Sequence, residues 1–418
     1  MKRILFIETN TTGTGAKAMY IAKEKGYKIY FWTSDSNQYS SIKADNPLDI
    51  ADEILTIDTY DVEKMIEELN NLPYKFDGIL AFDDYHLIPA AKLAKHLDQQ
   101  THDIEALKLV RYKHLTRQHF KENAARLKFK QPKFAIIDSN TDLDSEDIAF
   151  PCVLKPVDDS GSNGVSICEN EKDLKIAFNH EIGREKNERG YILEKKWLVE
   201  EYIRGQEYSA EMLFTVEGWK LISVTKKDIY GKHAVECGHV TSNELSPVEN
   251  LEEYCINLLS IFNLNYGAAH IEFISKDDGL YLVEINPRLA GDCIPDLVKI
   301  ATGVDMVENI VFQATGKNST VQLTESKAAS IQFCMPEQLG IYNEILNIEK
   351  AEKVPGVKKI HTVNFPFKVE KVSSSYHRLG YVISEGKSPT DAYASAKGAV
   401  SLLRYKINET NEALECQH

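Results

Sequence analysis

The sequence predicts a multidomain chain of mixed α/β and α+β architecture, and three observations predict it. The first hundred residues alternate short apolar strands with helices. Two later stretches, 150–165 and 266–291, join strand signals to charged, glycine-bearing turns. Residues 317–418 change texture, to strand signals followed by a helix. Alternating strands and helices imply a parallel sheet covered on both faces, whereas a strand-rich tail implies an α+β module. A length of 418 residues is enough for about two to four domains.

The N-terminal rhythm reads as strands at 4–7, 28–32, 53–57 and 78–82, with helices at 15–25, 62–69 and 86–97. Thr12-Gly13-Thr14-Gly15 sits in the first strand-to-helix turn. A dinucleotide fingerprint would need a third glycine where Ala18 stands, so this is a tight turn able to face a ligand. Asp83 and Asp84 end the fourth strand, where open α/β sheets place ligands, or cap the helix that follows. Residues 101–131 read as helical and put Lys113 and Arg117 on one face, which is usually a solvated one. A strand at 133–137 and a polar linker at 138–147 follow.

The stretch Phe150–Val165, FPCVLKPVDDSGSNGV, is a short strand ending on Lys155, then a loop bearing Ser160, Gly161, Ser162 and Gly164. Free backbone N–H groups in such a loop can cradle phosphate oxygens, and the lysine can meet their charge. A hairpin turn with a solvated lysine is the plainer alternative. It is not a P-loop, because no Gly-Lys-Ser/Thr follows the glycines. Residues 198–203 form a strand containing Glu200 and ending on Ile203; after Arg204-Gly205 a second strand starts at Glu207. The junction offers backbone groups to an adenine edge and Glu207 to ribose hydroxyls, or is an ordinary hairpin.

Residues 219–247 hold two more strands and a loop, His233 to His239, containing Glu236 and Cys237. No second closely spaced ligand pair follows, so a polar loop near a carboxylate substrate is preferred to zinc. After a helix at 250–262, the stretch 266–291 carries two alternating runs around Asp277-Asp278-Gly279, a three-residue hairpin loop. With Lys276 facing Leu280, Glu272 lies opposite Glu284, and Asn286 shares their face. Ile271, Phe273, Val283 and Ile285 then lie on the other face. Adjacent carboxylates repel unless a cation lies between them, and oxygen ligands of this kind suit Mg²⁺. Arg288 follows within reach of a phosphate. Residues 294–316 are helical, then come strands at 328–334, 356–362, 365–371 and 379–384 and a helix at 389–404. The polar end, NETNEALECQH, is expected to fray.

Composition narrows the function. Hydrophobic content of 43% and charged content of 27% are those of a soluble globular enzyme. A net charge of −14 opposes nucleic acid or an anionic membrane as a partner, though not a local basic pocket. Seven cysteines, with no CxxC, fit reduced thiols in a cytoplasm. The N-terminus runs directly into a strand, and no stretch is apolar enough for a signal peptide or membrane span.

The order of these motifs resembles the ATP-grasp superfamily over nearly the whole chain, most strongly at 150–165, 198–211 and 268–291. The resemblance implies an ATP-grasp fold with an N-terminal Rossmann-like pre-grasp domain (1–110), a nucleotide-binding region (111–315, lid about 133–200) and a small C-terminal α+β module (316–418). It implies that Lys113 and Lys155 touch ATP phosphates, that Ser160–Gly164 is a lid loop, and that Glu200 and Ile203 form the adenine hinge. Glu207 then accepts the ribose, while Glu272, Glu284 and Asn286 bind Mg²⁺ or Mn²⁺. Arg288 is the catalytic arginine. Glu236-Cys237-Gly238-His239 and Arg378-Leu379-Gly380-Tyr381 are similar to the L-amino-acid ligase branch, which places Glu236, His239 and Gly291 at the substrate. Asp292 departs from the second glycine of many members. The implied activity is joining an amino-acid carboxylate to an amine through an acyl phosphate. Alternatives are a carrier-protein thiol as acceptor, bicarbonate as the carboxylate, or a non-catalytic nucleotide-binding protein. The expected partners are small molecules, with a homodimer left open.

Overall fold

The computed structural model describes residues 2–409 except 11–12, 41, 43–44, 140–142, 144–148, 232–234, 320 and 373. Thr12, His233, most of the 138–147 linker and the chain end from Thr410 therefore lie outside the described residues.

Four sheets organise the chain. β1 (Arg3–Ile7), β2 (Lys28–Thr33), β3 (Glu53–Thr56) and β4 (Gly78–Leu80) form a parallel sheet in the order β3-β2-β1-β4. Successive residues bury on alternate faces: Ile4, Phe6, Ile29 and Phe31 enter one core, Leu5, Ile7, Tyr30 and Trp32 another. Such two-sided burial is what βαβ crossovers create. Gly13 opens the first helix at φ 91°, and a Cβ on Gly15 would lie 1.5 Å from Thr9 Oγ1, so the tight-turn expectation holds.

β5 (Phe134–Ile137), β6 (Cys152–Pro156), β7 (Ser166–Cys168) and β8 (Trp197–Glu201) make a small antiparallel sheet, β5-β8-β6-β7, covered by the helix Glu171–Ile182. Residues 202–205 then cross to the central sheet. Its strands include β9 (Gln206–Thr215), β10 (Gly218–Tyr230), β11 (Val235–Ser242), β12 (Ala268–Lys276) and β13 (Gly279–Asn286). β14 (Ala328–Phe333), β16 (Val357–Thr362) and β18 (Gly380–Gly386) extend it, in the order β13-β12-β9-β10-β11-β14-β18-β16. The C-terminal strands thus continue the sheet that holds the carboxylates. β15 (Gly340–Leu346), β17 (Phe367–Val369) and β19 (Arg404–Glu409) form a three-stranded sheet.

Three expectations change. Residues 233–239 are not a loop throughout, because β11 begins at Val235. The helix expected at 294–316 is two, Ile294–Thr302 and Met306–Ala314, since Gly303 takes φ 78° and ends the first. The helical stretch 101–131 likewise splits into Ile104–Arg111 and Lys113–Asn123. Among the described residues no helix is long and apolar enough to cross a membrane.

Candidate active site

One face of the central sheet is polar. Ser209, Glu211, Thr225, Lys227, His270 and Glu272 are cross-strand neighbours or two residues apart, so they project together. Ala210, Met212, Val224, Ile271 and Phe273 alternate with them and pack under the helix Leu251–Ile261.

Two bulges set the phase of this face. The β12–β13 turn has two residues, because Lys276 pairs with Gly279, not with Leu280. The register slips by one at Val283, and this restores Glu272 opposite Glu284. The extra residue expected in the turn is thus in the strand. Val283, expected on the apolar face, lines the cavity instead, and Leu282 enters the core. Arg117 Nη2 donates to the Val283 carbonyl at 2.9 Å and fixes the bulge. The second bulge passes over Cys237: Asp228 pairs with Gly238, and Ile229 with Glu236. Residues three apart would otherwise face opposite ways; here Glu236 and His239, with Asp292, bring ligand atoms within 4.8 Å of one another.

A cavity of about 1320 Å³ runs along this face between the sheets. At one end it is lined by Lys113, Lys155, Ser160, Gly161 and Ser162. Gly164 does not line it; at φ 73° it closes the loop, where a Cβ would lie 2.5 Å from Glu181 Oε2. Glu200, Ile203 and Glu207 complete this end. Glu200 is buried and accepts from Arg117 Nε and pairs with Lys155 Nζ, both at 2.6 Å. Burial would raise its carboxyl, but Arg117 and Lys155 pull it down to about 2. Burial lowers Lys155, against the pull of Glu200. Ile203 lies in the crossing segment, and its backbone has no partner among the described residues. Lys113 Nζ donates to the Asp159 carbonyl at 2.7 Å and lies 3.4 Å from Glu284. Neither Lys113 nor Arg117 belongs to a solvated face; Arg117 is 2% exposed. Burial and the acidic neighbours Glu272, Glu236 and Glu284 push Glu207 up to about 7, against Lys227.

Glu272 Oε1 accepts from His270 Nε2 at 2.8 Å and Lys227 Nζ at 2.7 Å; Oε2 has no partner among the described residues. Asn286 Nδ2 donates to Glu284 Oε1 at 2.8 Å, leaving its own carbonyl oxygen free. Two carboxylates and an amide oxygen are a hard donor set that fits Mg²⁺ or Mn²⁺. Arg288 donates from Nε and Nη2 to Asp84 and from Nη1 to the Leu289 carbonyl, so two of its five N–H groups stay free. Asp84 thus grips the arginine. Asp83 accepts from the Tyr85 and His86 N–H groups just before the helix Leu87–His96, which has no side-chain cap, so the capping expectation does not hold; it also binds Arg189 at 3.1 Å.

At the far end, Glu236, Gly291, Asp292 and Arg378 line the cavity. Arg378 Nη1 donates to Asp292 at 2.8 Å and Nε to the Glu236 carbonyl at 3.0 Å. Against burial, Arg378 and His239 hold Asp292 well below the usual carboxylate range. His239 is fully buried beneath Asp292, 3.3 Å away, and does not itself line the cavity. Sequence reasoning missed Lys227 and Asp84's grip. Lys226-Lys227 in a strand reads as a solvated edge, and the neighbouring sequence, SVTKKDIYG, carries no signal to the contrary.

Residues 148–296 match the ATP-grasp domain family, and residues 332–408 match L-amino acid ligase C-terminal domain 2. An uncharacterized protein of Sinorhizobium fredii, y4rH, is 23% identical over 98% of this chain and 84% of its own length. The formate-dependent phosphoribosylglycinamide formyltransferase of Sulfurisphaera tokodaii is 24% identical over 93% of this chain and 88% of its own. The solved L-amino acid ligase from Bacillus licheniformis shares the fold with a TM-score of 0.81 at 18% identity, covering 98% of this chain and 99% of that one. The chain therefore contains an ATP-grasp domain at 148–296 and a C-terminal domain of the L-amino acid ligase kind at 332–408.

Proposed function

We propose that the protein is an ATP-dependent ligase that activates an amino-acid carboxylate as an acyl phosphate and couples it to an amine. The observation that carries this reading is one cavity with lysines and an oxygen-donor face at one end and Glu236, Asp292 and Arg378 at the other. Acidic and basic groups side by side suit the ammonium and carboxylate of a zwitterion. The likeness to an L-amino acid ligase supports the same class. In this reading residues 1–110 are the pre-grasp domain, 111–315 the ATP-grasp region and 316–418 the C-terminal module.

Lys113 and Lys155 neutralise the ATP phosphates, and Ser160–Gly164 closes over them. Ile203 meets the adenine edge, and Glu207 accepts ribose hydroxyls. Glu272, Glu284 and Asn286 would hold Mg²⁺ or Mn²⁺, which supplies charge neutralisation at the phosphates. A carboxylate oxygen of the amino acid attacks the γ-phosphorus, the bond to the bridging oxygen breaks, and ADP leaves. The amine then attacks the acyl carbon, and phosphate departs with that carboxylate oxygen. The free N–H groups of Arg288 stabilise the charge that develops. Glu236 and Asp292 hold the substrate ammonium, and His239 positions Asp292 from below. In this reading the acceptor is a small-molecule amine and not a carrier-protein thiol.

The test is phosphate release from ATP and Mg²⁺ across the twenty amino acids, singly and in pairs, with product masses. Release that requires an amino acid, with a condensed product, supports the reading. Release indifferent to every amino acid overturns it.

A further inference from the structure

Lys227 is 2% exposed, yet its ammonium has three carboxylates around it: Glu272 at 2.7 Å, Glu236 at 2.9 Å and Glu207 at 3.8 Å. We propose that Lys227 is a positioning residue that ties the metal-side Glu272 to the substrate-side Glu236, so that neither end of the site is set independently. The proposal rests on the site reading given above.

The ammonium donates to Glu272 and Glu236, Glu207 at 3.8 Å adds its charge without a hydrogen bond, and burial makes each of these partners hard to replace. On the metal side, Lys227 and His270 together occupy Glu272 Oε1. His270 is fixed in turn by Glu211 at 2.9 Å, and Glu211 by Ser209 at 2.7 Å. Oε1 is thereby taken, and Oε2 is the oxygen left for a cation. On the substrate side, Glu236 Oε1 takes Lys227, and Oε2 faces Arg378 at 3.5 Å. Charges alternate from Glu272 through Lys227, Glu236 and Arg378 to Asp292. Two bulges, at Val283 and Cys237, bring both ends of this line onto one face.

The alternation gives the linkage a sign. When Glu236 is neutralised, Lys227 is shared with one carboxylate fewer. Its charge then offsets more of Glu272, and a cation at Oε2 is held less tightly. An amino-acid ammonium arriving at Glu236 draws on the same charge, so occupancy of one end is felt at the other.

The test needs no amino acid. Mn²⁺ binding to the full chain is measured by electron paramagnetic resonance with the non-hydrolysable ATP analogue AMP-PNP. E236Q is expected to weaken Mn²⁺ about tenfold, a usual size for linkage between sites. In a K227M background the same change should alter Mn²⁺ affinity within about twofold, the limit of independent effects. Mn²⁺ affinity unchanged by E236Q overturns the proposal, even if K227M does not fold. An equal loss in both backgrounds overturns it too, since that is direct Coulomb action without Lys227. Failure of the wild type to bind Mn²⁺ with AMP-PNP overturns the metal reading itself, a result distinguishable from failure of the linkage alone.

Discussion

Arg288 is held by Asp84 across 204 residues of chain, with Nε to Oδ1 and Nη2 to Oδ2 both at 2.6 Å. The pair joins the end of the parallel sheet to the end of the carboxylate hairpin, and it leaves the arginine's remaining N–H groups pointed. A two-pronged guanidinium–carboxylate bond fixes orientation as well as charge. Asp84→Asn is therefore expected to lower kcat by about 10–100-fold, as loss of a supporting partner does. ATP affinity, measured by calorimetry, should stay near wild type. Normal turnover in this variant would show that Arg288 needs no such support.

Glu284→Gln should keep the fold and lose phosphate release. Glu284 is only partly buried and bonds to Asn286 and Lys113, so an amide of the same shape leaves packing intact. Removing one oxygen anion from the donor face should cost on the order of several kcal/mol of transition-state stabilisation, which is about a hundredfold or more in rate. A thermal melt and a phosphate assay separate the two effects. An active variant would remove Glu284 from the metal site.

Glu200 makes a pH prediction. Its folded pKa of about 2 lies below the ordinary 4.5, against burial and because of Arg117 and Lys155. The stability it contributes is thus fully present above pH 4.5 and is lost as pH falls toward 2. Glu200→Gln strands two buried cations and should destabilise the protein by about 3–5 kcal/mol at neutral pH. It should also flatten the acid limb of the stability curve. Denaturant melts at several pH values check both; parallel curves for variant and wild type would contradict the assignment.

The loop Ser160–Gly164 should gain order from phosphate. Its root is tied down, with Ser160 Oγ 2.9 Å from the Tyr85 hydroxyl and Arg184 bound to Asp159, but Gly161 and Ser162 are exposed. Amide exchange at Ser160–Gly164 should slow when AMP-PNP and Mg²⁺ are added. Equal protection with and without the nucleotide would count against a lid role.

Much of this was legible in the sequence, for physical reasons that differ by element. The N-terminal strands showed because burial on both faces leaves a continuous apolar run. The Glu272–Glu284 pairing showed because the number of residues between them is the same whether the extra residue lies in the turn or at Val283, where the structure has it. Lys227 did not show, since its meaning depends on Glu207, Glu236 and Glu272 from three other strands. His239 was expected at the substrate; the Cys237 bulge turns it to the correct face, but Asp292 covers it. The strand Gly340–Leu346 was missed because it is half exposed and pairs with Arg404–Glu409, beyond any local window.

In the proposed mechanism the carboxylate is phosphorylated before the amine attacks. An amino acid found active in the phosphate-release screen, labelled with ¹⁸O in its carboxylate, tests this through the mass of the released phosphate. An acyl phosphate transfers one carboxylate oxygen to phosphate, so one ¹⁸O is expected in each phosphate formed in unlabelled water. Amino-acid-dependent phosphate carrying no ¹⁸O would mean that water, not the carboxylate, attacks ATP, and would contradict it.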